Sequence, residues 1–339
     1  MRAGKRLVGC VSRFWGFRRK HGSPTIWPNG SGGLGATAGF QGPHCFRHVP
    51  VALIGNGQAI HVGEEGGIPL WYEAVRRSPR AAHWTIHGAP AFAEVFRDLQ
   101  GATRWHPTLS LDTEIRFHLT PRVHQFVAGL LDGLAPGTLR SGADELHDGG
   151  HRFLVTRDLE SARSYLRERY ADARFARYGI VASSKDKWLP KHGVDNTFQT
   201  TKQLRVGPWY NADPSDSQSC CRLQTVATEF SSQGLELDCA LLAWGSDLLW
   251  TDGGWSIEFA GTNRPRLKDP LTVRKNVYRV LLTRGRDGTV VFVPPEARMD
   301  ATYERLLAVG MRELRGGGQM AKSYTTRTPS TPEPEHPQP

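Results

Sequence analysis

Cysteine is scarce in this chain and has no framework. Its five cysteines, Cys10, Cys45, Cys220, Cys221 and Cys239, form no C-x-x-C pair and no Cys/His spacing suited to zinc. That sets aside a disulfide scaffold and a structural zinc module. Reduced thiols in a cytoplasm are the expectation. The adjacent Cys220 and Cys221 read either as buried inert thiols or as a redox-active pair. Long apolar runs are also missing, since none approaches the ~18–20 residues that a membrane span needs. Acidic residues are absent from residues 1–47, which carry Arg2, Lys5, Arg6, Arg13, Arg18, Arg19, Lys20 and Arg47. This leader supplies most of the net charge of +10, so the excess does not make the body of the protein a nucleic-acid surface. An acid-free basic leader fits a transit peptide, a nucleic-acid-binding arm or a poorly ordered extension.

What is present suits a globular core: 339 residues, 39% hydrophobic and 22% charged. Asn29 to Gly42 reads as a flexible linker. The apolar run before Gly55-Asn56-Gly57 predicts a strand entering a tight loop. Residues 68–77 and 89–99 have helical spacing, residues 109–117 alternate like a strand, and a helix is predicted from Thr120, with Pro121 in its first turn. From His151 the pattern is strand, helix, strand: "RFLVT", then a helix with Asp158 as its N-cap, then "RYGIVASS". Further strands are predicted within 221–230, at "DCALLAW" and at "GTVVFVPP", and helices at 269–284 and 302–314. Strands alternating with helices imply an α/β fold with a parallel sheet. The expected organisation is a leader (1–47), a first unit (48–121), a connecting helix and linker (122–150), a second unit (151–315) and a Pro-rich disordered tail (316–339).

Two blocks carry the most specific signal. "TEFSSQGLELDCALLAWG" (228–245) and "NVYRVLLTRGRDGTVVFV" (276–293) each join a polar, Gly-containing loop to an apolar run. The second contains the basic cluster Thr283-Arg284-Gly285-Arg286, which invites an anionic partner. With "LIGNGQAIHVGEEGG", "LVTRDLESARSYLRERY" and "RYGIVASSKDKWLP", they resemble the Schlafen-group-3-like DNA/RNA helicase domain family. The resemblance covers about residues 51–310.

That family consists of predicted superfamily 1 ATPases with two RecA-like domains, so the resemblance implies a P-loop NTPase-type parallel sheet, ATP and Mg2+ as cofactors, and DNA or RNA, single-stranded, as partner. It also assigns roles. Gln58, after a Gly-rich turn, would sense the γ-phosphate, and Arg116 would contact phosphate. Gly234 would allow close backbone approach, and Glu236 would accept from ribose hydroxyls. Arg284 would be the arginine finger, with Arg286 as its fallback. Ser183, Ser184 and Lys185 would meet the nucleic-acid backbone. Trp188, Trp209, Tyr210, Trp244, Trp250 and Trp255 are candidate stacking platforms. Against each stands a plainer reading: a polar loop residue for Gln58, a surface arginine for Arg116, a helix-start acid for Glu236, a structural ion pair for Arg284, solvated polarity for 183–185 and core packing for the tryptophans.

One departure from the family pattern bears on chemistry. The sequence holds no G-x-x-x-x-G-K-[ST] and no apolar strand ending in Asp-Glu before residue 51. These are the parts that cradle phosphates and hold magnesium. The expectation is a complete second motor domain beside a truncated first one, with no substantial ATPase activity unless a partner supplies the P-loop half. A non-catalytic nucleic-acid-binding or regulatory protein, or a degenerate gene product, is the rival reading.

Overall fold

The computed structural model describes residues 67–78, 82, 84–99, 102–110, 120–257 and 269–315. Gln58, Arg116, the leader and the tail lie outside these residues.

The first elements are helix α1 (Gly67–Arg76) and a two-stranded parallel sheet of β1 (Thr85–Gly88) and β2 (Ala102–Trp105). Residues 89–99, expected as a helix, form a short 3-10 turn at Pro90–Phe92 followed by further turns. Helix α2 (Thr120–Asp132) follows, and the stretch expected to be a linker holds a second helix, α3 (Pro136–Asp148), with Pro136 in its first turn and Leu139, Ala143 and Leu146 buried. With only Leu139, Ala143 and Leu146 buried, its apolar stripe is too sparse to mark a helix in the sequence.

From residue 152 the chain builds one sheet of six parallel strands. The elements are β3 (Arg152–Thr156), α4 (Leu159–Arg169), β4 (Tyr178–Ala182), α5 (Phe198–Lys202), α6 (Val206–Asn211), β5 (Val226–Thr228) and β6 (Leu237–Ala243). A small antiparallel hairpin of β7 (Leu249–Thr251) and β8 (Gly254–Ser256) comes next, then α7 (Pro270–Leu282), β9 (Gly285–Phe292), α8 (Asp300–Ala308) and β10 (Arg312–Glu313). The strand order across the sheet is β10-β3-β9-β6-β4-β5. All five pairings are parallel, and the register runs Ile180 with Leu241, Leu241 with Val290, and Val290 with Leu154. The central strands are buried on both faces, which is why they read as continuous apolar runs rather than alternating ones. Asp158 caps α4 by accepting from the Glu160 amide, as its position predicts.

Two boundaries differ from the sequence pattern. The stretch 221–230 gives only a three-residue strand, because Cys220–Arg222 turn as a 3-10 helix and Leu223 adopts φ 55°. The last helix stops at Ala308; Gly310 takes φ 103°, and the chain re-enters the sheet edge as β10. One core runs from Val123 on α2 to Leu314 after β10, so the α2–α3 pair packs into the same interior as the sheet. The whole is an α/β fold of RecA-like type.

Candidate nucleic-acid and nucleotide edges

A parallel sheet has a carboxyl edge, where strands end, and an amino edge, where they begin. Ligands of open α/β sheets gather in crevices outside the carboxyl ends. The residues singled out in the sequence divide between the two edges.

At the carboxyl edge, β4 ends at Ala182 and β6 at Ala243. Each strand is followed, four residues later, by a buried aspartate: Asp186 in "SSKD" and Asp247 in "WGSD". Asp186 accepts from the amides of Trp188 (2.8 Å), Leu189 (2.7 Å) and Ser246 (2.7 Å) and from the Ser246 hydroxyl (2.8 Å). It therefore ties the two loops together. Asp247 is fully enclosed and pairs with Arg274 of α7 at 2.7 Å, while Tyr278 donates to it at 2.6 Å and Ser183 donates as well. Burial pushes the Asp247 carboxyl up; Arg274 and the hydroxyl donors oppose that. Asn196 closes the network by donating to the carbonyls of Ser183 (2.7 Å) and Asp186 (2.9 Å). A buried pair of this kind sets loop shape more than stability. In the sequence, the only signal of this network is the short polar stretch ending in Asp that follows each of two apolar strands.

The network fixes the fate of Ser183, Ser184 and Lys185. Ser183 is fully buried, its hydroxyl held between Asp247 and Arg274. Ser184 donates from its amide (2.8 Å) and hydroxyl (2.7 Å) to the carboxylate of Glu229. Burial pushes that carboxyl up, and the Ser184 bonds act the other way. Lys185 faces solvent, as does Lys187. Beside them Trp188 is half-buried and carries two cations against its ring, Lys191 Nζ at 3.9 Å and the Arg298 guanidinium carbon at 4.3 Å from the centroid. Arg298 and His192 are both held by Glu296, at 2.7 and 2.6 Å. Of the other aromatic candidates, Trp209, Trp244 and Trp255 lie in the core, Trp250 packs on Arg305, and Tyr210 donates to the Glu236 carbonyl at 2.7 Å.

The loop 229–236 crosses from the carboxyl end of β5 to the amino end of β6. Gly234 sits at its turn with φ 77°, a conformation that an L side chain rarely adopts. Arg284, at the end of α7, is 6% exposed and spends its guanidinium inward. Its Nε donates to the Val280 carbonyl (2.8 Å), Nη1 to the carbonyls of Ser232 (3.2 Å) and Leu235 (3.1 Å), and Nη2 to the Thr283 hydroxyl (3.4 Å). Its own carbonyl accepts from the Leu237 amide at 2.8 Å. As folded, Arg284 is a clamp on this loop. Glu236 lies half-buried at the amino edge, and the exposed Arg286 pairs there with Asp238 and Asp287. The described residues of this edge thus set the Arg286 guanidinium among the carboxylates of Glu236, Asp238 and Asp287, with the half-exposed Arg177 bonded through its amide to Asp238. That donor set does not by itself fit a triphosphate. Among the described residues, no group of three or more His, Cys, Asp or Glu side chains is placed to hold a metal ion. No helix among them is long and apolar enough to cross a membrane.

The parallel sheet, with the 228–245 and 276–293 blocks at its centre, agrees with the comparison by family. The profile of the Schlafen group 3 DNA/RNA helicase domain matches residues 44–295. The chain belongs to that family. No curated protein and no solved structure matches it. Within the helicase domain, the residues after β4 and those before β6 and β9 come to opposite edges of one sheet, joined by the 229–236 loop.

Proposed function

We propose that this helicase-domain protein binds single-stranded nucleic acid at the carboxyl edge of its sheet, chiefly through the phosphate backbone, and that it turns over little ATP on its own. The observation that carries the reading is the cluster around Trp188. Lys191 and Arg298 lie on its ring, Arg298 pairs with Glu296 and Arg157 with Asp300, and the exposed Lys185 and Lys187 precede Trp188 in the same loop. With two cations already on its ring, Trp188 serves less as a platform for a base than as a support that holds Lys191 and Arg298 outward for phosphates. In this reading Lys185 takes part directly, whereas Ser183 and Ser184 act through the loop they hold in shape. Backbone contacts of this type are insensitive to base sequence.

At the amino edge, Gly234, Glu236 and Arg286 form the nucleotide-facing side in this reading, and Arg284 shapes the loop that presents them. The chain contains no G-x-x-x-x-G-K-[ST] stretch to hold the phosphates. The division into a partial first motor domain (48–121) and a full second one (151–315) belongs to the same proposal.

Titration of a labelled single-stranded oligonucleotide across a salt series tests the carboxyl edge. Replacing Lys191 and Arg298 together by alanine should flatten the slope of log K against log[salt] by about 1.4, since each phosphate neutralised on a single strand contributes roughly 0.7. Removing residues 1–47 as well separates the share of the basic leader. An unchanged slope in the double variant would sink the proposal. For the amino edge, steady-state ATP turnover with single-stranded DNA should stay at background; turnover abolished by Arg286→Ala, which leaves the core intact, contradicts it.

A further inference from the structure

The cysteines at the edge of the sheet have a geometry that neither the helicase fold nor the nucleic-acid edge uses. Cys220 and Cys221 lie in the 3-10 turn capped by Ser219, with their sulfurs 4.0 Å apart. Their surroundings differ sharply. Cys220 is wedged against β4: a Cβ built on Gly179 would stand 3.0 Å from the Cys220 Cβ and 2.7 Å from Trp209. It has no exposed surface. Cys221 instead lines a cavity of about 280 Å³ with Arg167, Tyr178, Pro214, Arg222 and Gln224. Arg167, Arg222 and Gln224 are exposed, so this cavity reaches the surface.

The electrostatics follow that asymmetry. The Cys220 thiol donates to the Cys221 sulfur, which lowers the Cys221 thiol below its ordinary value; burial opposes this, and the Tyr178 backbone, Ser219 and Arg177 lower it further. Cys220, the donor, is pushed up by that bond and by burial. As a thiol, Cys221 donates to the Ala176 carbonyl at 3.5 Å. The third described cysteine, Cys239, is enclosed within β6 and burial pushes its thiol up to about 12. Cys221 is itself only 4% exposed and meets solvent through this arginine-lined cavity alone, Cys220 stands next to it bearing a proton, and Cys239 is inert.

We propose that Cys220 and Cys221 form a peroxide-responsive dithiol in which Cys221 is oxidised and Cys220 resolves it. The Cys221 thiolate attacks a peroxide oxygen, the O–O bond breaks, and with one proton taken up the products are Cys221 sulfenic acid and water (or an alcohol from an organic peroxide). The Cys220 sulfur then displaces hydroxide from the sulfenic acid. The Cys220 proton joins that hydroxide as a second water, and a Cys220–Cys221 disulfide forms. In sum, two thiols are oxidised and one peroxide is reduced. Closure brings the sulfurs from 4.0 Å to about 2 Å. Adjacent Cα atoms stand about 3.8 Å apart, below the usual disulfide range, so the bridge is strained and easily reduced again. The turn it reshapes leads directly into β5.

The test uses the full chain treated with one equivalent of hydrogen peroxide, then unfolded in guanidinium chloride so that every remaining thiol is reachable, alkylated and mapped by peptide mass spectrometry. In the wild type, the peptide holding both cysteines should lose two hydrogens, resist alkylation at both sulfurs and recover with dithiothreitol. Cys220→Ser should stop at a dimedone-trappable sulfenic acid on Cys221, and Cys221→Ser should leave Cys220 alkylatable. Free alkylation of both sulfurs in oxidised wild type overturns the proposal. So does a bridge to Cys10, Cys45 or a second molecule. A second measurement needs no variant: the pH–rate profile of iodoacetamide at Cys221 in reduced wild type should inflect below the ordinary thiol value of about 8.5. At pH 7 its rate should exceed that at Cys239 by at least about tenfold. An inflection at or above the ordinary value refutes the assignment.

Discussion

Arg284 shows how a residue type can be legible while its use is not. A planar cation after an apolar helix suits an anionic ligand, and the sequence supports that choice. In the fold, nearby backbone carbonyls take up its donors first: the Leu235 carbonyl accepts from Arg284, and the Ser232 carbonyl accepts from Arg284 as well as from the Leu235 amide. Arg284→Ala should therefore cost about 3 kcal/mol of stability, from lost charge-assisted bonds and stranded carbonyls, read as a lower urea midpoint with or without nucleotide. Arg284→Lys should recover only part of it. A variant as stable as wild type would show that the clamp is dispensable. His151 is a second case, invisible in the sequence. It is buried at the start of β3, its Nδ1 donates to the Arg286 carbonyl at 3.0 Å, and its Nε2 finds no partner among the described residues. Desolvation, the largest influence, lowers its pKa to about 4 from 6.5. The unfolded chain then takes up a proton between those values that the folded chain refuses, so stability falls as pH drops from 6.5 towards 4. The loss amounts to ~3 kcal/mol. His151→Asn keeps a donor for Arg286 without titrating. Its denaturation midpoints should vary less over this window; equal pH profiles for the two proteins would exclude His151 as the source.

Among the elements, the long strands were legible because burial on both faces writes them as unbroken apolar runs. The short ones were not. β10 holds only Arg312 and Glu313, and its place in the sheet comes from β3 rather than from any pattern of its own. Helix α3 escaped because half-exposed helices show few apolar positions. β9 adds a further constraint. It meets β6 with a register shift at Leu237/Cys239, and Gly285 and Gly288 lie where the backbones converge. A Cβ on Gly288 would fall 2.4 Å from the Arg152 carbonyl oxygen, and one on Gly285 would fall 1.8 Å from the Gly288 carbonyl oxygen. Neither neighbour is a flexible side-chain end that could yield. Gly288→Ala should lower stability by more than about 3 kcal/mol or prevent accumulation of soluble protein. Circular dichroism melting decides it, and a melting point within a few degrees of wild type would mean the β3–β9 register can slide.

For the molecule as a whole, the α/β class, the parallel sheet and the family could all be read from the sequence. The division of site residues between two edges could not, since it depends on which end of a strand a loop leaves. The continuous core from Val123 to Leu314 predicts that α2, α3 and the six-stranded sheet resist protease as one unit, whereas β1 and β2 have no buried residue between them. Brief trypsin treatment should leave a fragment beginning near residue 120; equal survival of residues 48–121 would place the two on the same footing.

The strand order also governs how this protein comes into being. β3 is the first strand of the large sheet to be synthesised, yet its two neighbours, β9 and β10, are the last. At about 5–20 residues per second, the ribosome needs on the order of ten seconds to reach them. Throughout that interval β3 has both edges open, and no consecutive strand can close them. The sheet is thus completed at its centre only once β9 has been made, which makes folding slow, dependent on distant pairings and exposed to misassociation.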